Sequence, residues 1–238
     1  MLASRYKTDN VLEVGVDEAG RGPFWGPLMA AAVLLPNEED WDESFRVLVP
    51  QIKDSKKISE KKRVKVCESI MNQALAVGIG SVSAQEMDQH GASWANQHAF
   101  RRAIDQLNIV GYRRYVIDGT LGLESVGPNE CYETVTDGDA HYLHVAAASI
   151  VAKVHHDAWV IQWCADHPED AKKYNLEKCK GYGTAVHRKA ILEHGLLEDH
   201  RRLYLRKLIP SLQAQFPHKP LKFTSKSKNV GYQFIDDD

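Results

Sequence analysis

Residues 20–27, Gly20-Arg21-Gly22-Pro23-Phe24-Trp25-Gly26-Pro27, constrain the chain most: their three glycines and two prolines forbid a regular helix. An apolar run lies on each side. Residues 11–16 are rich in β-branched side chains and stop at Asp17-Glu18-Ala19-Gly20, and residues 28–35 are closed by Pro36. The pattern predicts two strands joined by a tight, shaped loop, the first ending in a carboxylate pair. Ser59 then reads as the N-cap of a helix that turns Val64, Cys67, Ile70, Met71, Ala74 and Leu75 inward, with Gly78 as its stop. A strand over 79–84 and a helix capped by Ser93, with Ala99, Phe100, Ala103, Ile104 and Leu107 inward, follow. Tyr115-Val116-Ile117 has the composition of a buried strand ending at Asp118-Gly119. Residues 131–135 predict another short strand, and residues 145–165 return to the helical period. This order predicts mixed α/β layers.

Composition sets the scale of that arrangement. With 238 residues, 43% of them hydrophobic, the chain can bury one substantial core plus an appendage. The expected division is a catalytic domain over 1–165 and a basic, helical extension over 166–238 that contributes to substrate binding. No apolar run reaches the roughly 18 residues of a membrane span, and MLASRYKTDN lacks a hydrophobic signal core, so a soluble, cytoplasmic protein is expected. Cys67, Cys131, Cys164 and Cys179 form neither a CxxC pair nor a zinc-ribbon spacing and read as reduced, packed thiols. The formal net charge of −2 hides an asymmetry. Residues 171–228 hold 14 Lys+Arg against 4 Asp+Glu, so a basic segment that can hold a polyanion follows an acidic body that can hold cations.

The acids with chemical potential sit at turns. Asp17-Glu18 and Asp118 fall just past predicted strand ends, beside glycines, where open α/β sheets place their chemistry. Asp139, in Asp137-Gly138-Asp139-Ala140 before the long helix, can join them. Singly, each has an ordinary role in a turn or cap. Crowded together they raise one another's pKa unless cations neutralise them, and a set of hard oxygen donors favours Mg²⁺ or Mn²⁺ over Zn²⁺.

The string Asp17-Glu18-Ala19-Gly20-Arg21-Gly22-Pro23 closely resembles the signature of type 2 ribonucleases H. Further resemblances follow in that family's order: Asp54-Ser55-Lys56-Lys57, Ile117-Asp118-Gly119, Gly138-Asp139-Ala140, residues 147–154 (AASIVAKV), Gly181-Tyr182-Gly183-Thr184 and His200-Arg201-Arg202. The resemblance implies a ribonuclease H-like mixed sheet flanked by helices, with a C-terminal helical extension. It implies an endonuclease that cuts the RNA strand of RNA–DNA hybrids and the 5′ side of single ribonucleotides embedded in duplex DNA, leaving 3′-hydroxyl and 5′-phosphate ends. Two Mg²⁺ or Mn²⁺ ions, held by Asp17, Glu18, Asp118 and Asp139, would activate water and stabilise the leaving oxygen. Gly20, Arg21 and Gly22, with Tyr182, would read the 2′-hydroxyl that distinguishes RNA from DNA. Lys56, Lys153 and Lys180, with Lys57, Arg201 and Arg202, are candidates for phosphate contacts.

Two departures from the family pattern stand out. Asp137 replaces a basic residue two places before the fourth acid. His156-Asp157 replaces Arg-Asp, which predicts a phosphate-binding cation that titrates near neutrality. The pairs His155/His156 and His141/His144 are expected on a helix surface and at a helix entry rather than on a transition metal. Competing readings are a resolvase- or transposase-type nuclease and a hybrid-binding protein whose metal site has decayed. A dinucleotide-binding enzyme fits less well, because the spacing after Gly22 breaks its fingerprint. A monomer is expected. The ending Gln233-Phe234-Ile235 only faintly resembles a sliding-clamp peptide.

Overall fold

A computed structural model describes residues 2–216. Among them the strands β1 (Leu12–Ala19), β2 (Leu28–Leu34), β3 (Ala76–Val82), β4 (Arg113–Asp118) and β5 (Glu130–Val135) form one sheet in the order β3-β2-β1-β4-β5. β1 is antiparallel to β2 and parallel to β4, so the two halves of the sheet have opposite character. The helices are α1 (Glu43–Leu48), α2 (Glu60–Gln73), α3 (Ala84–His90), α4 (Ala92–Asp105), α5 (Leu143–Asp166), α6 (Pro168–Tyr174), α7 (Leu176–Cys179), α8 (Ala185–His194) and α9 (Arg202–Leu205).

Both sheet faces are covered, as the continuous burial of β2 requires. On one face Ala31 and Val33 pack with Ile70 of α2 and with Ala147, Ile150 and Val151 of α5. On the other, Val14, Val16, Tyr115 and Ile117 meet Ala95, Ala99, Phe100 and Ala103 of α4. A third cluster joins Phe24 and Trp25 to Val160 of α5 and to Leu176, Ile191 and Leu205 in the C-terminal helices. The expected mixed α/β sheet flanked by helices is therefore present, and the loop over 20–27 is roofed by the C-terminal segment.

The departures from the sequence reading have physical causes. β1 runs through Asp17 and Glu18 instead of stopping before them, because pairing with β2 continues as far as Ala19↔Met29. In α2 the inward residues are Arg63, Val66, Cys67 and Ile70, while Val64 and Met71, and Leu75 beyond the helix end, are exposed. Arg63 rotates the stripe by donating to the carbonyls of Ser55 and Ile58 and pairing with Asp157 at 3.6 Å. Gly78 lies inside β3, not at a helix end. A Cβ there would strike the Ala103 carbonyl, so the glycine admits the backbone of α4. α3, whose capping box joins Ser83 and Glu86, has no counterpart in the expected element order, and the N-cap of α4 is Gly91 instead of the expected Ser93.

Gly15 performs the corresponding service on the opposite face, where a Cβ would sit on the backbone carbonyl of His144 and hold α5 away from β1. Gly15→Ala is expected to destabilise the fold by about 3 kcal/mol, read from denaturant unfolding; an unchanged midpoint would contradict this close approach. In the C-terminal segment, His187 and His200 bring their Nε2 atoms to 3.1 Å with both rings buried. Burial holds both below the ordinary histidine range, with His200 at about 3. Their contribution is complete above the unfolded value of about 6.5 and is lost as pH falls from there toward 3. The drop in Tm between pH 7 and pH 5 is expected to shrink in His200→Gln; an equal drop in both proteins would count against it.

Candidate active site

The four acids arrive from three directions. Val16 pairs with Ile117 in the parallel ladder, so Asp17 and Asp118 follow one step further along neighbouring strands and share a face. Asp139 lies in the short turn of 3-10 helix, Gly138–Ala140, between β5 and α5. The amide of Gly138 donates to Asp118 Oδ1 at 2.6 Å and ties that turn to β4. Glu18 alternates to the other face, where the side chain of Asn96 on α4 hydrogen-bonds to it.

Burial dominates their electrostatics. It raises Asp17 well above the ordinary carboxylate range, and Glu18 and Asp118 add repulsion. Burial also raises Glu18, Asp118 and Asp139, with Asp118 repelling both Glu18 and Asp139. Asp137 adds to the repulsion on Asp118 and Asp139, so the departure noted in the sequence does place extra negative charge at the cluster. Each acid feels another of the set.

Neighbouring side chains partly relieve this. The motif Asp54-Ser55-Lys56-Lys57 forms a turn capped by Asp54, whose carboxylate accepts from the Lys56 amide at 2.9 Å. The turn directs Ser55 inward to Ser149 on α5, at 3.0 Å between hydroxyls, and Ser149 hydrogen-bonds to Asp17. Burial opposes the charge on Lys56, yet Asp139, Asp54, Asp17 and Asp118 together raise its pKa. Lys57 turns outward to pair with Asp54 at 3.3 Å. Asn96, Ser149 and Ser55 were not singled out as site residues. The available signal was a polar residue, Asn96, on the helical stripe that also carries Ala99, Phe100 and Ala103.

The glycine-rich loop lies beside the acids. Arg21 lowers the pKa of Glu18, and the ring of Tyr182 faces Gly22, with Cε1 3.7 Å from where a Cβ would stand. The glycines flanking Tyr182 have specific reasons: a Cβ on Gly181 would strike the Trp25 carbonyl, and one on Gly183 would strike the Phe24 ring. The Phe24 amide donates to the Gly181 carbonyl at 2.9 Å, and His187 Nδ1 lies 3.0 Å from the Tyr182 carbonyl. Tyr182 itself remains 44% exposed, so its ring is available at the surface.

The other candidate cations have carboxylate partners of their own. Lys153 pairs with Asp157 at 2.8 Å, and Lys180 faces Glu60 at 3.7 Å. Arg201 is fully buried and cannot be a surface phosphate contact. His156 corrects the expectation of a titrating cation: it is buried against Gly20, and burial lowers its pKa, which favours the neutral ring. His144, in the first turn of α5 and so at the expected helix entry, is likewise buried, and burial lowers its pKa to about 4. Cys67, Cys131, Cys164 and Cys179 are unbridged.

The family model for ribonuclease HII matches residues 14–207, which include all four acids, the loop and Tyr182. The chain belongs to the ribonuclease HII family. A ribonuclease HII of Thermosynechococcus vestitus is 37% identical over 198 residues, 83% of this chain and 86% of that protein. Among solved structures, ribonuclease H2 from Pyrococcus horikoshii superposes with a TM-score of 0.64 at 23% identity, covering 84% of this chain and 98% of the other. The RNase HII of Archaeoglobus fulgidus, solved in complex with PCNA, gives 0.63 at 22%, with 85% and 97% covered. Membership makes the chain a type 2 ribonuclease H, a nuclease of a divalent-metal-dependent family.

The donor set fits hard divalent ions, because desolvated carboxylates that repel one another are stabilised by cations. Among the described residues no three His, Cys, Asp or Glu side chains enclose an ion by themselves. Ions such as Mg²⁺ take one or two carboxylates and complete their shell with water and phosphate oxygens. Adding Mg²⁺ or Mn²⁺ well above its Kd is expected to raise Tm by about 5 °C, and EDTA to reverse the rise. Asp118→Asn should diminish the rise; an equal rise in that variant would argue for binding elsewhere.

Proposed function

We propose that this ribonuclease hydrolyses the RNA strand of RNA–DNA hybrids and cuts on the 5′ side of single ribonucleotides in duplex DNA, leaving 3′-hydroxyl and 5′-phosphate ends. The observation that carries the reading is the adjacency of two features: the acids of β1, β4 and the 138–140 turn, and the Gly20-Arg21-Gly22 loop faced by Tyr182. In this reading, chemistry at a phosphodiester and recognition of its sugar would fall side by side.

Asp17, Glu18, Asp118 and Asp139 would hold the ions, with Mg²⁺ or Mn²⁺ as the metals that suit carboxylate oxygen. Two such ions supply an activated water on one side of the phosphate and charge stabilisation for the leaving 3′ oxygen on the other. The chain's own residues arrange the rest. Ser149 and Asn96 fix the orientation of Asp17 and Glu18, and the Gly138 amide fixes Asp118. Lys56, within the field of the acids, is suited to a non-bridging phosphate oxygen. Backbone amides of residues 20–22 approach the ribose where no side chain intervenes, and the Tyr182 ring stacks on the neighbouring sugar. Lys153 and Lys180 contribute positive charge along the duplex, and the basic segment from residue 166 onward acts as the substrate-binding extension of the domain over 1–165.

The partners are RNA–DNA hybrid and ribonucleotide-containing duplex DNA, and the enzyme acts as a monomer in the cytoplasm on misincorporated ribonucleotides and RNA primers. None of the described helices is long and apolar enough to cross a membrane. The clamp-like ending Gln233-Phe234-Ile235 lies outside the described residues.

A duplex with one ribonucleotide is expected to be cut only at its 5′ side, with the all-DNA duplex left intact and no cutting in EDTA. Asp118→Asn should lower the rate by about 10³-fold, the scale of several kcal/mol of metal-derived stabilisation, while duplex binding persists. Cutting of the all-DNA duplex would favour a resolvase-like nuclease, and a fully active Asp118→Asn protein would remove the assigned metal role.

A further inference from the structure

The guanidinium of Arg201 is fully buried beneath the loop. Its Nε donates to the Gly26 carbonyl at 2.9 Å, Nη1 to the Arg21 carbonyl at 2.9 Å and Nη2 to the Gly20 carbonyl at 2.6 Å. Tyr204 adds a hydroxyl donated to the same Arg21 carbonyl at 3.1 Å, and the guanidinium lies over the Tyr204 ring, 5.6 Å from its centre. Five fixed donors on a planar group suit this task, since lysine's three donors radiate from a single nitrogen and cannot reproduce the spread, planar fork. The cost of burying the cation shows in its pKa, which burial pushes down to about 10.

Elementary peptide geometry turns that clamp into a statement about substrate. In a planar trans peptide the C=O and the following N–H point in opposite directions. Drawing the Gly20 and Arg21 carbonyls toward the interior therefore turns the amides of Arg21 and Gly22 away from Arg201, toward the side where Gly22 faces Tyr182. Gly20 takes φ +80°, a conformation that glycine adopts freely. We infer that Arg201 is the positioning residue for ribose recognition: it holds the amides of Arg21 and Gly22 in the orientation that engages a 2′-hydroxyl.

The base of the clamp is itself fixed. The Arg201 amide donates to the Phe24 carbonyl at 2.8 Å, and the Gly26 amide donates to the Asp199 carbonyl at 3.0 Å, so the loop and the 199–201 segment run as a short bridge. Asp88 on α3 then accepts from the amides of Arg202 at 2.9 Å and Leu203 at 2.8 Å. Asp88 thus anchors Arg201 from behind without touching the loop carbonyls. This inference rests on the proposed role of the loop in reading ribose.

The test measures sugar discrimination apart from chemistry. In an Asp118→Asn background with Mg²⁺ present, Kd is measured for a duplex containing one ribonucleotide and for the same duplex in all-DNA form. If the parent shows no preference for the ribonucleotide, the proposed role of the loop fails and the inference falls with it. Given a preference, Arg201→Lys is expected to reduce it by about tenfold, with all-DNA affinity changed less than about twofold. Equal loss on both duplexes, or an unchanged preference, overturns the inference. Asp88→Ala covers the case in which Arg201→Lys does not fold: it should weaken the preference in the same direction, and an unaltered preference there overturns the inference as well.

Discussion

Parallel pairing of β1 with β4 sets two carboxylates, Asp17 and Asp118, on one sheet face, Asp17 within β1 and Asp118 at the end of β4. Burial desolvates both, and Asp118 repels Asp17, so the site carries an unfavourable charge arrangement that the surrounding fold must support. The supports are visible: Ser149 braced by Ser55, the Gly138 amide on Asp118, Asn96 on Glu18, and Lys56 brought in by the Asp54-capped turn. They come from α5, α4, the 138–140 turn and the 55–57 turn, so the acid cluster organises much of the architecture around the middle of the sheet. In the proposed function divalent cations would answer the remaining repulsion, so that a cluster costly to the protein alone would become useful with substrate.

A second assembly meets the first at the loop over 20–27. Phe24 and Trp25 are packed into the C-terminal helical cluster, Gly181 and Gly183 admit that packing, and Arg201 holds the loop carbonyls. The C-terminal segment is thus more than a basic appendage. It shapes the surface that lies beside the acids, and its buried histidine pair, His187 and His200, locks Tyr182 and the 197–200 turn into one unit.

Much of this was legible in the sequence because local patterns coincide with global ones. The strands at 28–34 and 113–118, the long helix and the acids at Asp17, Glu18, Asp118 and Asp139 could be placed from apolar runs, glycine turns and motif resemblance. What escaped were features decided by long-range packing. The inward stripe of α2 depends on where Arg63 finds carbonyls, and Gly78 looked like a helix stop because glycine in a strand and glycine at a C-cap are indistinguishable without the partner backbone. His156 and Arg201 looked like exposed cations, and only the tertiary structure shows them buried under Gly20 and the loop. Charge in a sequence does not reveal which side of the surface it occupies.

The central claim is that the four acids act together as the seat of paired divalent ions beside a ribose. Anomalous scattering from Mn²⁺ tests it most directly, in crystals of the Asp118→Asn or slow-cleaving enzyme bound to a duplex with one ribonucleotide. The account expects manganese density among Asp17, Glu18, residue 118 and Asp139, against the phosphate at the ribonucleotide, with its 2′-hydroxyl facing residues 20–22. Manganese bound away from these acids, or a ribose turned from the loop while the phosphate sits at the acids, would contradict it.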